Sequence, residues 1–118
     1  MALTGAQLRA HCLDMPAAVE DFPFSAELSV FKVMGKVFAL TDLAGDPLQV
    51  SVKCEPEIAL ALRAAHPGIV PGYHLNKRHW NTVTIDGSLP DDLVRDLVQD
   101  SFDLVVDKLP RYQRIRLR

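Results

Sequence analysis

Residues 48–57 read Leu48-Gln49-Val50-Ser51-Val52-Lys53-Cys54-Glu55-Pro56-Glu57, and this stretch decides the fold. Leu48, Val50 and Val52 alternate with Gln49, Ser51 and Lys53, the period of a strand with one buried face and one wet face. Pro56 then suits the first turn of a helix, where its missing N–H costs nothing, and Glu55 and Glu57 suit the positive end of the helix dipole. A half-buried strand thus runs almost directly into a helix.

Working towards the N-terminus, Leu28 to Val33 and Lys36 to Thr41 read as two more strands. They flank Met34-Gly35, a short turn whose glycine tolerates positive φ. Leu43-Ala44-Gly45-Asp46-Pro47 is the next turn, so the three strands form an antiparallel meander. Asp21-Phe22-Pro23-Phe24 reads as an aromatic-anchored loop. Before it, Thr4-Gly5-Ala6-Gln7 has the form of a capping box, with Leu3 and Leu8 placed as a hydrophobic staple and Leu8, Cys12 and Met15 at helical spacing. A helix over residues 4–15 is predicted.

Working towards the C-terminus, the helix opened by Pro56 runs to Ala65 and stops at His66-Pro67-Gly68. Thr82 to Asp86 is another alternating strand. Ser88-Leu89-Pro90-Asp91 has the form of a second capping box. It precedes a long helix whose Val94, Leu97, Val98, Ser101, Leu104 and Val105 make one stripe. Leu109-Pro110 ends that helix, and residues 111–118 either trail off or add a last strand. The predicted order is α-β-β-β-α-β-β-α over a single domain, residues 1–118. This is an α+β fold with helices covering an antiparallel sheet.

The bulk numbers agree with one folded domain: 118 residues, 48% apolar and 24% charged. No apolar run reaches the roughly 20 residues of a membrane span. Thr4, Gln7, Arg9 and His11 stand where a secretory signal keeps an apolar block, which predicts a cytoplasmic protein. Two cysteines, Cys12 and Cys54, are too few for a disulfide scaffold and read as reduced, core-facing residues. A net charge of −2 opposes strong non-specific nucleic-acid binding. The charge is unevenly spread, however. Residues 84–110 hold seven acids and two bases, residues 53–83 hold four bases and two acids, and residues 111–118 hold four arginines and no acid.

The chemistry-bearing residues concentrate in Pro71-Gly72-Tyr73-His74-Leu75-Asn76-Lys77-Arg78-His79-Trp80-Asn81-Thr82-Val83. It holds the only tryptophan, two of the four histidines and adjacent cations. Lys77 and Arg78 suit phosphates, Asn76 and Asn81 suit hydrogen bonds to bases or backbone, and Tyr73 and Trp80 offer stacking faces. Each has a plainer reading: Trp80 as a core anchor, the asparagines as local backbone partners, the cations as solvated residues. His74 and His79 are an odd number of residues apart, on opposite faces if extended, and no Cys-x-x-Cys pair or acidic cluster accompanies them. No metal site is predicted. Cys54, beside a helix start, could gain a lowered thiol pKa with His74 or His79 as base, but packing explains it better. No nucleophile elbow, phosphate-cradling loop or dinucleotide fingerprint is present, so neither an enzyme nor a cofactor is predicted.

Residues 67–83 resemble the signature of the MmcQ/YjbR family. Phe31 to Leu40, Val52 to Glu57 and Ser101 to Val105 fit the same pattern, so the resemblance extends roughly from Phe22 to Pro110. One departure is Phe102, where that family often has Tyr. The resemblance implies a fold similar to CyaY and frataxin, described as a double-wing DNA-binding arrangement. It implies a site made of Tyr73, His74, Asn76, Lys77, His79, Trp80 and Asn81, and no catalytic residue. The acidic iron-binding ridge of frataxin is not evident.

Three expectations follow. The leading one is a non-enzymatic protein that binds DNA weakly through Lys77, Arg78 and their neighbours, with Lys32, Lys36 and Lys53 contributing if their strand faces lie alongside. The second is a small-ligand or anion pocket, with or without catalysis, built from His74, Asn76, His79 and Asn81, which requires those side chains to converge. The third is an interaction module or homodimer with Tyr73 and Trp80 as interface anchors, although a monomer is the expected state. The sequence separates these three poorly. Simple alternation puts Trp80 opposite Val83 and Ile85, which implies either a bulge or an exposed ring.

Overall fold

A computed structural model describes residues 2–117 of the chain. Helix α1 (Gly5–Leu13) is followed by strands β1 (Ala18–Asp21), β2 (Leu28–Val33), β3 (Lys36–Asp42) and β4 (Leu48–Lys53). Then come α2 (Pro56–Ala65), β5 (Ile69–Pro71), β6 (Trp80–Ile85), α3 (Asp91–Asp107) and α4 (Arg111–Arg116). The strands form one sheet in the order β1-β2-β3-β4-β6-β5, and every neighbouring pair is antiparallel. The α+β reading therefore holds, with β1 and α4 added to the elements read from the sequence.

Local chemistry explains most of the boundaries. Thr4 caps α1 reciprocally: its Oγ1 accepts the Gln7 N–H at 3.1 Å, and Gln7 Oε1 accepts the Thr4 N–H at 2.9 Å. Leu3 and Leu8 of the staple are both buried. Met34 and Gly35 both have positive φ (49° and 79°), the geometry of a two-residue hairpin turn that matches strand twist.

Four local expectations are corrected. Ser88 does not cap α3; Pro90 occupies the N-cap position with no side-chain bond. The Ser88 N–H is already taken by Asp86 Oδ1 in a tight turn, which leaves the serine two residues short of the helix. Residues 111–116 of the tail are neither strand nor coil but helix α4, because the Gln113 and Arg114 N–H groups both bond the Pro110 carbonyl; Arg118 lies outside the described residues. Helix α1 ends at Leu13 rather than 15. The loop after β1 is not anchored by its aromatic rings, since Phe22 and Phe24 are exposed.

The core lies on one face of the sheet. Phe31, Val33, Phe38, Val50, Val52 and Val83 pack there against Leu8 and Cys12 of α1 and the stripe of α3. That stripe is wider than its sequence period suggests: Phe102 and Val106 are buried as well, and Leu104 is only half-buried. Phe102 meets Phe38 edge-on at 5.3 Å, so a phenylalanine here serves the core. Ser101 is the one polar residue of the stripe, and it is fully buried. Its Oγ donates to the Phe38 carbonyl (2.6 Å) and accepts the Lys53 N–H (2.8 Å), tying α3 to β3 and β4.

Candidate functional site

The register of β4 on β6 places the motif. Leu48 lies across from Ile85, Val50 from Val83, Val52 from Asn81 and Lys53 from Trp80, with no bulge. Asn81 therefore shares the covered face with Val83 and Ile85, while Trp80 falls on the opposite side of the alternation. Asn81 is 1% exposed. Its Oδ1 accepts from Arg63 Nε at 2.6 Å, and its Nδ2 donates to the Ala59 carbonyl at 3.4 Å. Arg63 also donates through Nη2 to the carbonyls of Lys77 and Trp80. One guanidinium thus holds α2, β6 and the loop of residues 72–79 together. Nothing in the helical period of α2 marks Arg63 for this role; a basic residue in a last helical turn ordinarily serves the dipole.

The loop itself is closed by short-range bonds. The Gly72 N–H bonds the Trp80 carbonyl at 2.8 Å, and Asn76 Oδ1 accepts the Arg78 N–H at 2.9 Å. Lys77 Nζ reaches back to the Gly72 carbonyl at 3.3 Å. A Cβ on Gly72 would sit 2.7 Å from Trp80 Cβ, so only glycine allows this approach. His74 has φ 57°, unusual for a side chain other than glycine.

The motif residues do not form one site. Asn81 is structural and Asn76 caps its own turn. Tyr73 and His74, with ring centroids 4.0 Å apart, border a groove of about 570 Å³ on the face opposite the core. His79 and Trp80 instead line two pockets at the end of the sheet, of about 150 and 350 Å³, which share Lys53 and Lys108. The four-residue pocket expected from His74, Asn76, His79 and Asn81 is thus not assembled. Lys32 is elsewhere, paired with Asp21 at 2.9 Å, and that pairing holds the Asp21 carboxyl below its usual range.

The sheet-end pocket brings together Lys36 from β3, Lys53 from β4, Trp80 from β6, and Lys108 and Leu109 just beyond α3. Among the described residues none of these three lysines forms an ion pair. Lys77 and Arg78 are exposed on the adjoining turn. Lys108 was missed by sequence reading because an acidic helix precedes it.

Cys54 lines a different crevice, with Ile58, Leu62, Leu97 and Asp100. Burial pushes its thiol above the ordinary value, and Asp100 and Glu55 push it further. The helix start does not produce an activated thiolate here. Asp100 is itself raised, first by burial and then by its neighbours Asp103 and Asp96. Among the described residues no three His, Cys, Asp or Glu side chains gather as metal ligands, and no helix is long and apolar enough to cross a membrane.

The YjbR family model matches residues 13–104. The chain belongs to the YjbR family. It is 39% identical over 107 residues to the uncharacterized protein YbdF of Escherichia coli O157:H7, covering 90% of this chain and 87% of that one. It is 36% identical over 112 residues to the uncharacterized protein YjbR of Escherichia coli K12, covering 95% of each. The crystal structure of Deinococcus radiodurans protein DR2400 superposes with a TM-score of 0.90 at 46% identity, over 97% of this chain and 87% of that one. A Pseudomonas syringae protein superposes with a TM-score of 0.75 at 29% identity, over 86% and 98%. The family model thus runs from the end of α1 into α3, and the Escherichia coli relatives align over 90% and 95% of the chain.

Proposed function

We propose that this YjbR-family protein binds nucleic acid weakly, without sequence preference, through the end of its sheet. One observation carries the reading: Lys36, Lys53 and Lys108, free of acidic partners among the described residues, converge on the pocket that holds Trp80. Lysines supply phosphate contacts, and a half-buried indole offers a face on which a base stacks. Lys77 and Arg78 extend the same positive surface. The footprint is small because Glu55 borders it and Asp100, Asp103 and Asp107 lie beside Lys53 on the other side. Affinity on the order of 100 μM at physiological salt is expected, typical of non-specific contacts.

The test is fluorescence anisotropy of labelled duplex and single-stranded oligonucleotides at low and physiological salt, with Trp80 emission read in the same titration. Binding should fall steeply with salt and quench Trp80. Lys53→Ala with Lys108→Ala should flatten the log–log salt slope by roughly one unit per lysine. Absence of binding at low salt removes the proposal.

A further inference from the structure

The groove on the open face of the sheet shares no lining residue with the sheet-end pocket, and the nucleic-acid reading leaves it unused. It is also the larger of the two, at about 570 Å³ against 350 Å³. No helical residue lines it. One wall is Phe24 with Leu28 and Leu40; the other is Tyr73 and His74 with Leu75. Phe24 and Tyr73 are 73% and 74% exposed, although rings of this size ordinarily bury most of their surface. Tyr73 is held there by the loop: its N–H bonds Thr82 Oγ1 at 3.2 Å, and His74 beside it adopts the left-handed φ of 57°. Strain at a non-glycine residue beside a cleft is the pattern of a pre-organised binding wall.

The floor is polar. Ser51 Oγ and Thr82 Oγ1 lie 2.8 Å apart. The two hydroxyls carry two protons and only one is used between them. Whichever donates, one O–H is left without a protein partner among the described residues. Gln49 donates through Nε2 to Thr84 at 3.1 Å, leaving its carbonyl oxygen as a free acceptor. The floor therefore both gives and takes hydrogen bonds. Charge narrows the occupant further. No lysine or arginine lines the groove, and its one carboxylate, Asp42, stands at the rim. Such a site offers an anion no lysine or arginine to pair with and suits neutral or positively charged bodies, for which aromatic faces add cation–π attraction.

We propose that the open-face groove binds a small, flat aromatic compound, neutral or cationic, held between Phe24 and Tyr73 with its polar edge on Gln49 and Ser51. Aromatic walls on a pre-formed cleft with few convergent polar groups are the ordinary make-up of a small-molecule site.

Two probes with one ring system and opposite charge test this: 1-naphthylmethylamine and 1-naphthoate, titrated into the ¹⁵N-labelled full chain and followed by amide shifts. The amine should shift Gln49, Ser51, Tyr73 and His74 with a Kd on the order of 1 mM, fitting for a fragment of its size. The naphthoate should bind roughly tenfold more weakly, and Tyr73→Ala or Phe24→Ala should weaken the amine by a similar factor while the rest of the spectrum stays unchanged. No shifts at the probe's solubility limit would overturn the proposal, as would equal affinity for the anion or indifference to both substitutions. Shifts confined to Trp80 and Lys108 would do the same. Concentration-dependent shifts of these groove amides without any probe, abolished by Tyr73→Ala, would make a second copy of the chain the occupant and overturn it too.

Discussion

The two faces of this sheet obey opposite rules. On the covered face, among the described residues, every buried polar side chain finds partners: Asn81 bonds Arg63 and Ala59, and Ser101 bonds Phe38 and Lys53. On the open face and at the sheet's end, the reverse holds. Aromatic rings stand exposed, the three lysines of the sheet-end pocket have no ion pair among the described residues, and one hydroxyl of the Ser51–Thr82 pair keeps an unused proton. One motif serves both: the loop of residues 72–79 sends Tyr73 and His74 to the open face, and β6 then alternates Trp80 outward and Asn81 into the core. Neighbours in sequence here divide into those that hold the fold and those left free to bind.

The largest expected effect lies on the covered face. Asn81→Leu removes the acceptor that positions Arg63 and leaves part of a guanidinium unpaired near the core. It should cost about 3 kcal/mol, since bonds to charged groups are the expensive ones to lose. For a domain of this size that lowers Tm by about 10 °C, readable by calorimetry. Because Arg63 also holds the Lys77 and Trp80 carbonyls, both binding surfaces should weaken together. An unchanged Tm would break the division between the faces at its strongest point.

Much of this division was legible beforehand and part was not. The alternation in Leu48 to Lys53 and in Thr82 to Ile85 is set by a sheet with one dry face, so the fold class followed from period alone. The motif's location was equally visible. Its partition was not, because a period of two says which residues share a face and nothing about what covers it. Asn81 illustrates the point: its type suggests an exposed contact, and the unbroken pairing that sets Val52 across from Asn81, with no bulge, puts it in the core. Arg63 and Lys108 were invisible for a related reason. Each acts through tertiary contact with an element far away in sequence. Phe24 reads as an anchor by hydrophobicity, yet the loop leaves it on the rim of the groove.

A smaller loss is expected for Ser101→Ala. It orphans the Phe38 carbonyl and the Lys53 N–H, for about 2 kcal/mol by urea denaturation. Ser101→Thr, which keeps the hydroxyl but adds a methyl to a packed stripe, should not restore stability fully.

The dryness of the covered face has a pH signature. Burial, helped by Glu20, pushes the Cys12 thiol from an ordinary 9.0 up to about 12. A raised folded-state pKa means that its contribution is fully present below pH 9 and is lost as pH rises towards 12. In that window the unfolded chain gives up a proton that the folded chain keeps. Stability should therefore fall by ~1 kcal/mol per pH unit on account of Cys12. Cys12→Ala should remove that slope, read as the difference between the two alkaline denaturation profiles. Parallel profiles would show that this face is wetter than its packing indicates.

The smallest stability effects belong to the open side, and they sharpen the comparison most. Lys53→Ala with Lys108→Ala removes no ion pair, so Tm should move by no more than about 2 °C. Tyr73→Ala removes an exposed ring and should be equally mild. Their binding effects should nonetheless separate. The lysine pair should flatten the salt dependence of oligonucleotide binding and leave naphthylmethylamine binding untouched. Tyr73→Ala should do the opposite, because Tyr73 does not line the pocket that holds Trp80. A Tyr73→Ala protein that loses both activities would mean that loop 72–79 moves as one body. The two surfaces would then be halves of a single site, linked through the backbone that Arg63 grips.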